Sequence, residues 1–226
     1  MKITYFGHAF FLVEGEDGPA IAIDPFDDSL GYQVPQVKAD LVLASHEHFD
    51  HANLQAIQGQ PKHLVGRAGE GDHEVCGVAI RGVPTKHFRE AADSARGDNT
   101  VFVIALDGIR LCHLGDLGHA LSKETVEQLG RVDILMVPIG GFYTLDVQRV
   151  DQVVESVDPR VVIPMHYRTP AATSPAVRKI EPAAVYLGGK DNVREKQAAV
   201  RVMPDDLPQE REIWKMRYAE WPVFGG

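Results

Sequence analysis

Two periods of apolar and polar residues divide this chain into strands and helices. Lys2 to Phe6, Ala9 to Glu14 and Ala20 to Asp24 carry β-type residues, separated by Gly7-His8 and the turn-rich Gly15-Glu16-Asp17-Gly18-Pro19, which predicts an antiparallel meander. Leu41 to Ala44 is a short unbroken apolar run, the mark of a strand covered on both faces. Ala52 to Ile57 predicts a short helix, whereas Lys62 to Gly66 and Gly77 to Thr85 predict strands. Residues 89–99 are small, polar and glycine-bearing, and a mobile surface loop is expected there.

Thr100 to Leu106 and Ile109 to Leu114 predict a hairpin around Asp107-Gly108. Helical spacing follows at Val126 and Leu129, behind Ser122 and before Gly130. It returns at Val147, Val150, Val154 and Val157, giving a buried stripe that Asp158-Pro159 ends. Val132 to Val137 and Val161 to Ile163 read as further doubly covered strands. The tail from Pro204 is rich in proline and charge, then aromatic; it packs either across the body or across a subunit contact. Gly-His-Ala at 7–9 and again at 118–120 is a weak sign of two related halves.

Composition narrows the function classes. With 226 residues and 44% of them hydrophobic, the chain is long enough to bury a sizeable core, and one domain over 1–226 is expected. A net charge of −9 without a Lys/Arg block speaks against nucleic acid as a partner. Cys76 and Cys112 are far apart and form no thiolate pair, which fits a reducing cytoplasm. No apolar run reaches the roughly 18 residues needed to cross a bilayer, and the start lacks a signal-peptide pattern. The expectation is a cytoplasmic protein with a small-molecule substrate, off the membrane, as a monomer or a homo-oligomer.

Chemistry gathers at strand ends. Ala44-Ser45-His46-Glu47-His48-Phe49-Asp50-His51 follows one apolar run, His113-Leu114-Gly115-Asp116 another, and Pro164-Met165-His166-Tyr167 a third. Loops at the carboxyl ends of strands converge over a crevice, so dispersed ligands can meet there. Alternate side chains of an extended segment point the same way, so His46 and His48 can grip one ion while Asp50 and His51 face a second. Imidazole and carboxylate donors suit zinc, iron and manganese.

The run His46-Glu47-His48-Phe49-Asp50-His51 resembles the signature of the metallo-β-lactamase superfamily. Gly7-His8-Ala9-Phe10, Ile23-Asp24-Pro25-Phe26, His113 to Asp116, Pro138-Ile139-Gly140-Gly141 and Ile163 to Tyr167 are similar to a branch of metal-dependent hydrolases related to the ascorbate-6-phosphate lactonase and N-acyl-phosphatidylethanolamine phospholipase D types. The likeness runs from Met1 to Tyr167 and fades in the tail. It implies an α/β fold, a four-layer αββα sandwich holding two divalent ions, zinc first and manganese or iron as alternatives. By position, His46, His48 and His87 would hold one ion, Asp50, His51 and His166 the other, and Asp116 would bridge them. His73 and His113 compete with His87, which is preferred because it ends a strand between the first motif and Gly115-Asp116. Leu117 departs from the family's threonine after Gly-Asp and makes that wall more apolar.

The implied reaction is attack by a metal-bridging hydroxide on an ester, lactone, amide or phosphodiester, with Asp50 orienting the nucleophile and passing on its proton. Asp24 either fixes the histidine rings of the ligand loop or starts the turn at Pro25. His8 either contacts substrate, as a proton donor for instance, or packs at a strand end. Tyr143 and Tyr167 are weighed as donors to a substrate oxygen or as core residues, His113 as support behind the ligands, and His119 as an entrance residue. The alternative is an iron-dependent redox enzyme of sulfur dioxygenase type on the same scaffold; a flavodiiron version is disfavoured because His48 stands where that group has glutamate.

Overall fold

The computed structural model describes residues 1–88, 95–175 and 177–220. Two sheets stack face to face. The first contains β1 (Lys2–Gly7), β2 (Phe10–Glu14), β3 (Ala20–Ile23), β5 (Leu41–Ala44), β7 (Lys62–Val65) and β15 (Ala199–Arg201), in the order β15-β1-β2-β3-β5-β7. Alternation sorts its side chains. Ile3, Tyr5, Phe11, Val13, Ile21, Ile23, Leu41 and Leu43 enter the main core, while Phe6, Phe10, Leu12, Ala22 and Val42 face a second, smaller cluster on the outer side. Both faces are therefore covered, which is why Phe10 to Val13 of β2 and all of β5 are apolar.

The second sheet contains β8 (Gly71–Val75), β9 (Val78–Lys86), β10 (Asp98–Leu106), β11 (Ile109–His113), β12 (Ile134–Pro138), β13 (Val161–Met165), β14 (Val193–Lys196) and β16 (Glu212–Met216). Its order is β14-β16-β13-β12-β11-β10-β9-β8, antiparallel from β8 to β11 and parallel from there on. A two-residue pair, β4 (Val37–Lys38) with β6 (Ile57–Gln58), lies apart from both. The helices are α1 (Lys123–Leu129), α2 (Val147–Val157) and α3 (Ala183–Leu187). Ser122 caps α1 by accepting from Thr125 N, and Asp146 caps α2 by accepting from Arg149 N. Val150, Val153, Val154 and Val157 of α2 join the main core. The expected α/β sandwich is present. Its outer cover over the first sheet comes from loops and 3-10 turns at Asp28–Leu30, Leu54–Ala56 and Val177–Lys179.

Several elements differ from the sequence expectation. The predicted helix at Ala52 to Ile57 is a single 3-10 turn followed by β6, because Asn53 N donates to Pro25 O (2.8 Å) and Asn53 Nδ2 to Phe26 O (3.0 Å), engaging the segment with a neighbouring loop. β10 begins at Asp98 rather than Thr100, since Asp98 and Asn99 pair with Lys86 and Thr85. Of the loop expected over 89–99, residues 89–94 lie outside the described residues. β8 carries no strand pattern in the sequence, because Gly-Asp-His-Glu-Val is polar and mostly exposed at the sheet edge. The tail is part of the body: β16 inserts between β13 and β14 and buries Ile213, Trp214 and Met216. Burial of side chains such as Ile213 and Met216 contributes about 1.5 to 3 kcal/mol each. Trp221 and Phe224 lie outside the described residues.

This topology prepares one edge for chemistry. β1, β3 and β5 run in one direction within the first sheet, and β9, β11, β12 and β13 run together within the second. His166 N donates to His8 O at 2.7 Å and stitches the two sheets where these strands end.

Candidate metal centre

Each side chain of the centre is delivered by a strand end: His8 after β1, Asp24 after β3, His46 to His51 after β5, His87 after β9, Asp116 after β11 and His166 after β13. His8, Asp24 and His166 have φ of 51°, 49° and 51°, the left-handed region that non-glycine residues seldom occupy. All three follow their strand immediately, so the turn redirects the side chain at the sheet edge.

Among the described residues, potential ligand atoms converge in three overlapping groups, each within 4.8 Å: His8, Asp50, His51 and His166; His46, His48 and His87; and His46, His51 and Asp116. Asp116 lies at the centre. Its Oδ2 is 3.0 Å from His87 Nε2, and its Oδ1 is 3.4 Å from His51 Nε2 and 3.3 Å from His166 Nε2.

Asp24 organises the imidazoles from behind. Its Oδ1 accepts from Ser45 N (2.7 Å), and its Oδ2 accepts from both Ser45 Oγ (2.7 Å) and His51 Nδ1 (2.8 Å). With its own hydrogen committed to Asp24, the Ser45 hydroxyl accepts from His46 Nδ1 at 2.9 Å. One fully buried carboxylate thus fixes the tautomer of two histidines, leaving Nε2 of each as a lone-pair donor. His46 Nε2, His51 Nε2 and Asp116 Oδ1 are buried without a hydrogen bond. Orphaned atoms of this kind are costly unless something else coordinates them, and their nitrogen and oxygen chemistry suits a divalent cation.

The electrostatics agree with that fit. Burial alone would lower the His51 pKa, but the carboxylates of Asp116, Asp50 and Asp24 raise it well above the ordinary imidazole value. Burial raises Asp116, yet His166, His51 and His87 outweigh it and hold this carboxyl well below its usual range. Asp50 is likewise pushed up by burial and pulled further down by His51 and His8. Burial, then His51, lowers His46; burial, then His166, lowers His8 to about 4. The Asp50 and Asp116 carboxyls are ionised at neutral pH, and the centre concentrates negative charge among its imidazoles.

Comparison with known proteins gives the family. Residues 2–166 match the beta-lactamase superfamily domain. UPF0173 metal-dependent hydrolases of Pelotomaculum thermopropionicum and Archaeoglobus fulgidus are 34% and 31% identical, over 75% of this chain and 85% and 84% of theirs. The chain belongs to this metal-dependent hydrolase family. A crystal structure from Thermotoga maritima, described as a zinc-dependent hydrolase of the metallo-beta-lactamase superfamily, has 36% identity and a TM-score of 0.77, covering 95% of this chain and 97% of that one. These relatives carry neither the lactonase nor the phospholipase D name, and they lend no support to the redox alternative.

Within this metal-dependent hydrolase, the other residues singled out from sequence fall as follows. His8 Nε2 donates to Asp50 Oδ2 at 3.2 Å, and its ring lies 4.1 Å from that of His166, so it belongs to the centre. His113 sits behind it, donating from Nε2 to Ala9 O (3.0 Å) and accepting from Gly115 N at Nδ1 (3.1 Å). His73 bonds Glu70 O on the β8 edge, away from the ligand groups. His119 accepts from Lys86 N and tethers the end of β9. Tyr167 is buried with its hydroxyl on Met216 O (3.4 Å), which makes it a core residue rather than a substrate donor. Tyr143 packs its ring against Phe142 and under Arg96, whose guanidinium stands 5.5 Å from the ring centroid. Ser45 and Asn99 also support the centre, beyond the residues expected from the sequence. Ser45 was legible as a hydroxyl abutting the first ligand, whereas Asn99 gave no local signal.

Proposed function

We propose that this protein is a dinuclear metal-dependent hydrolase, with His46, His48 and His87 holding one ion, Asp50, His51 and His166 the other, and Asp116 shared. The observation that carries this reading is the Asp116 carboxylate, within 3.4 Å of imidazole nitrogens from both ligand sets. Zinc is the first choice of ion, with manganese or iron as alternatives, since the donors are nitrogen and oxygen. A pair of bound divalent ions lowers the pKa of water from near 16 toward about 7 and polarises a substrate oxygen, which supplies a nucleophile at neutral pH.

The chain's own residues do the rest. Asp50 orients the nucleophile and takes its proton; the hydrogen bond from His8 Nε2 (3.2 Å) sets the angle of its carboxylate. Its low pKa makes it a poor place to keep a proton, so the proton moves on to the leaving group. His8 is neutral at pH 7 and contributes a hydrogen bond rather than a charge. Leu117, next to Asp116, is fully buried in the main core.

The rim adds an apolar component. Phe49, between His48 and Asp50, is 57% exposed, and Phe142 is 51% exposed. Phe142 follows Gly140, where a Cβ would come within 2.2 Å of His166 O, so its loop presses against the ligand backbone. Phenyl rings held in water beside the centre suit a small substrate with an apolar group next to its scissile ester, lactone, amide or phosphodiester bond.

A substrate panel with zinc- or manganese-loaded protein tests the proposal. Slow hydrolysis of an activated ester or of bis(p-nitrophenyl) phosphate, abolished in Asp116→Ala, is expected. Oxygen uptake on thiol substrates with iron bound, and no hydrolysis, would reject it.

A further inference from the structure

We infer that Asn99 is a positioning residue for the shared ligand, its carboxamide standing in for a peptide unit where β11 leaves the sheet to present Asp116. The last ladder pair between β10 and β11 joins Phe102 to His113. Beyond it β10 turns toward the first sheet: Thr100 N donates to Ser45 O (2.8 Å) and Thr100 Oγ1 to Gly66 O (3.0 Å). Leu114 O and Asp116 N are thereby separated from their ladder partners in a buried place, where unpaired backbone groups are costly.

Asn99, 1% exposed, serves both groups: its Nδ2 donates to Leu114 O at 3.0 Å and its Oδ1 accepts from Asp116 N at 2.8 Å. The second Nδ2 hydrogen goes to Thr85 Oγ1 (2.8 Å), and that hydroxyl donates back to Asn99 O (2.9 Å). Both Nδ2 hydrogens are committed, and the orientation of the amide is set, because a flip would face donor against donor at Asp116 N. Gly115 makes the room. Its φ is +55°, and a Cβ there would lie 2.3 Å from Asn99 Oδ1 and 2.5 Å from Ser45 Cβ.

One side chain therefore links the strand carrying His87, two residues past Thr85, with the loop carrying Asp116. Asn99 holds the Asp116 backbone so that its carboxylate falls between His51, His87 and His166. Partners behind metal ligands typically change metal affinity about 10- to 100-fold when removed. The inference rests on the reading of Asp116 as the shared ligand.

The test compares Asn99→Ala with Thr100→Val, which deletes a buried hydrogen bond one residue away that touches no ligand. Zinc affinity by chelator competition, thermal midpoint after chelation, and kcat and KM are measured on the full chain. Asn99→Ala is expected to hold zinc about 10- to 100-fold more weakly and to lose kcat with KM near the wild-type value. Thr100→Val is expected to lose thermal stability yet bind zinc as the wild type does. Wild-type zinc affinity in Asn99→Ala, or equal weakening in both variants, would overturn the inference. If Asn99→Ala does not fold, Asn99→Ser is measured instead with the same two outcomes. Failure of the wild type to bind zinc at all would strike the proposed function rather than the role of Asn99.

Discussion

The two ligand clusters of this centre are built differently. His51 and His166 are buried and Asp50 is half-buried, with Asp24 behind His51 and His8 against Asp50; in the other cluster His48 is exposed at the rim beside buried His46 and His87. Preorganised, water-excluded donors bind more tightly than donors that must first be ordered. The deep cluster should therefore hold its ion as a structural fixture, and the open one should exchange more readily. In the proposed arrangement Asp116 is shared by both, so the difference can be broken at one residue or sharpened cluster by cluster.

The largest effect is expected from Asp116→Ala, which removes the common carboxylate. Metal content should fall in both clusters and turnover by several orders of magnitude, measured by elemental analysis and ester hydrolysis. Next, His48→Asn should leave the deep cluster filled and take stoichiometry from about two ions to about one per chain. Chelator titration of the wild type should then show two steps, the first missing in the variant. Equal loss from both clusters would erase the distinction between them.

Proton linkage gives a third test, on chelator-treated protein. The folded pKa of His8 is lowered to about 4, against about 6.5 in an unfolded chain, so between these values the unfolded state binds a proton that the folded state refuses. Stability should therefore fall as pH drops through this window, by about 3 kcal/mol from His8 alone. His46 and His48 shift in the same direction and add to the slope. His51, whose pKa is raised, contributes stability that is fully present below about 6.5 and lost only as pH rises through its folded value, so it does not cancel the effect. Urea unfolding across the window should show the loss, and His8→Gln should reduce the slope without abolishing it.

Smaller effects follow. Asp24→Asn should weaken metal binding about 10- to 100-fold, by loosening His51 directly and His46 through Ser45. Phe49→Ala should leave metal content unchanged and lower kcat/KM for esters with apolar acyl groups less than about ten-fold. An unchanged preference along a series of acyl chain lengths would remove Phe49 from the substrate site.

These layers were not equally legible in the sequence. The candidate ligands His46, His48, Asp50 and His51 were the most legible because one loop carries all four, and strand ends at Asp116 and His166 marked where other candidates would come from. The supports were harder to see. Asn99 sits in a run of small polar residues that reads as a loop, and it becomes part of β10 only through pairing with Thr85 on another strand. β14, β15 and β16 were hard to see because their short, charged segments are strands only against partners far away in sequence. Long-range pairing decides both cases, and local pattern does not carry it.

Crystals of zinc- or manganese-loaded protein, measured at the metal's absorption edge, test the central claim most directly. The account predicts two anomalous peaks about 3.5 to 4 Å apart, one among His46, His48 and His87 and one among Asp50, His51 and His166, with Asp116 between them. A single peak, or none in a crystal soaked in excess metal, would contradict it.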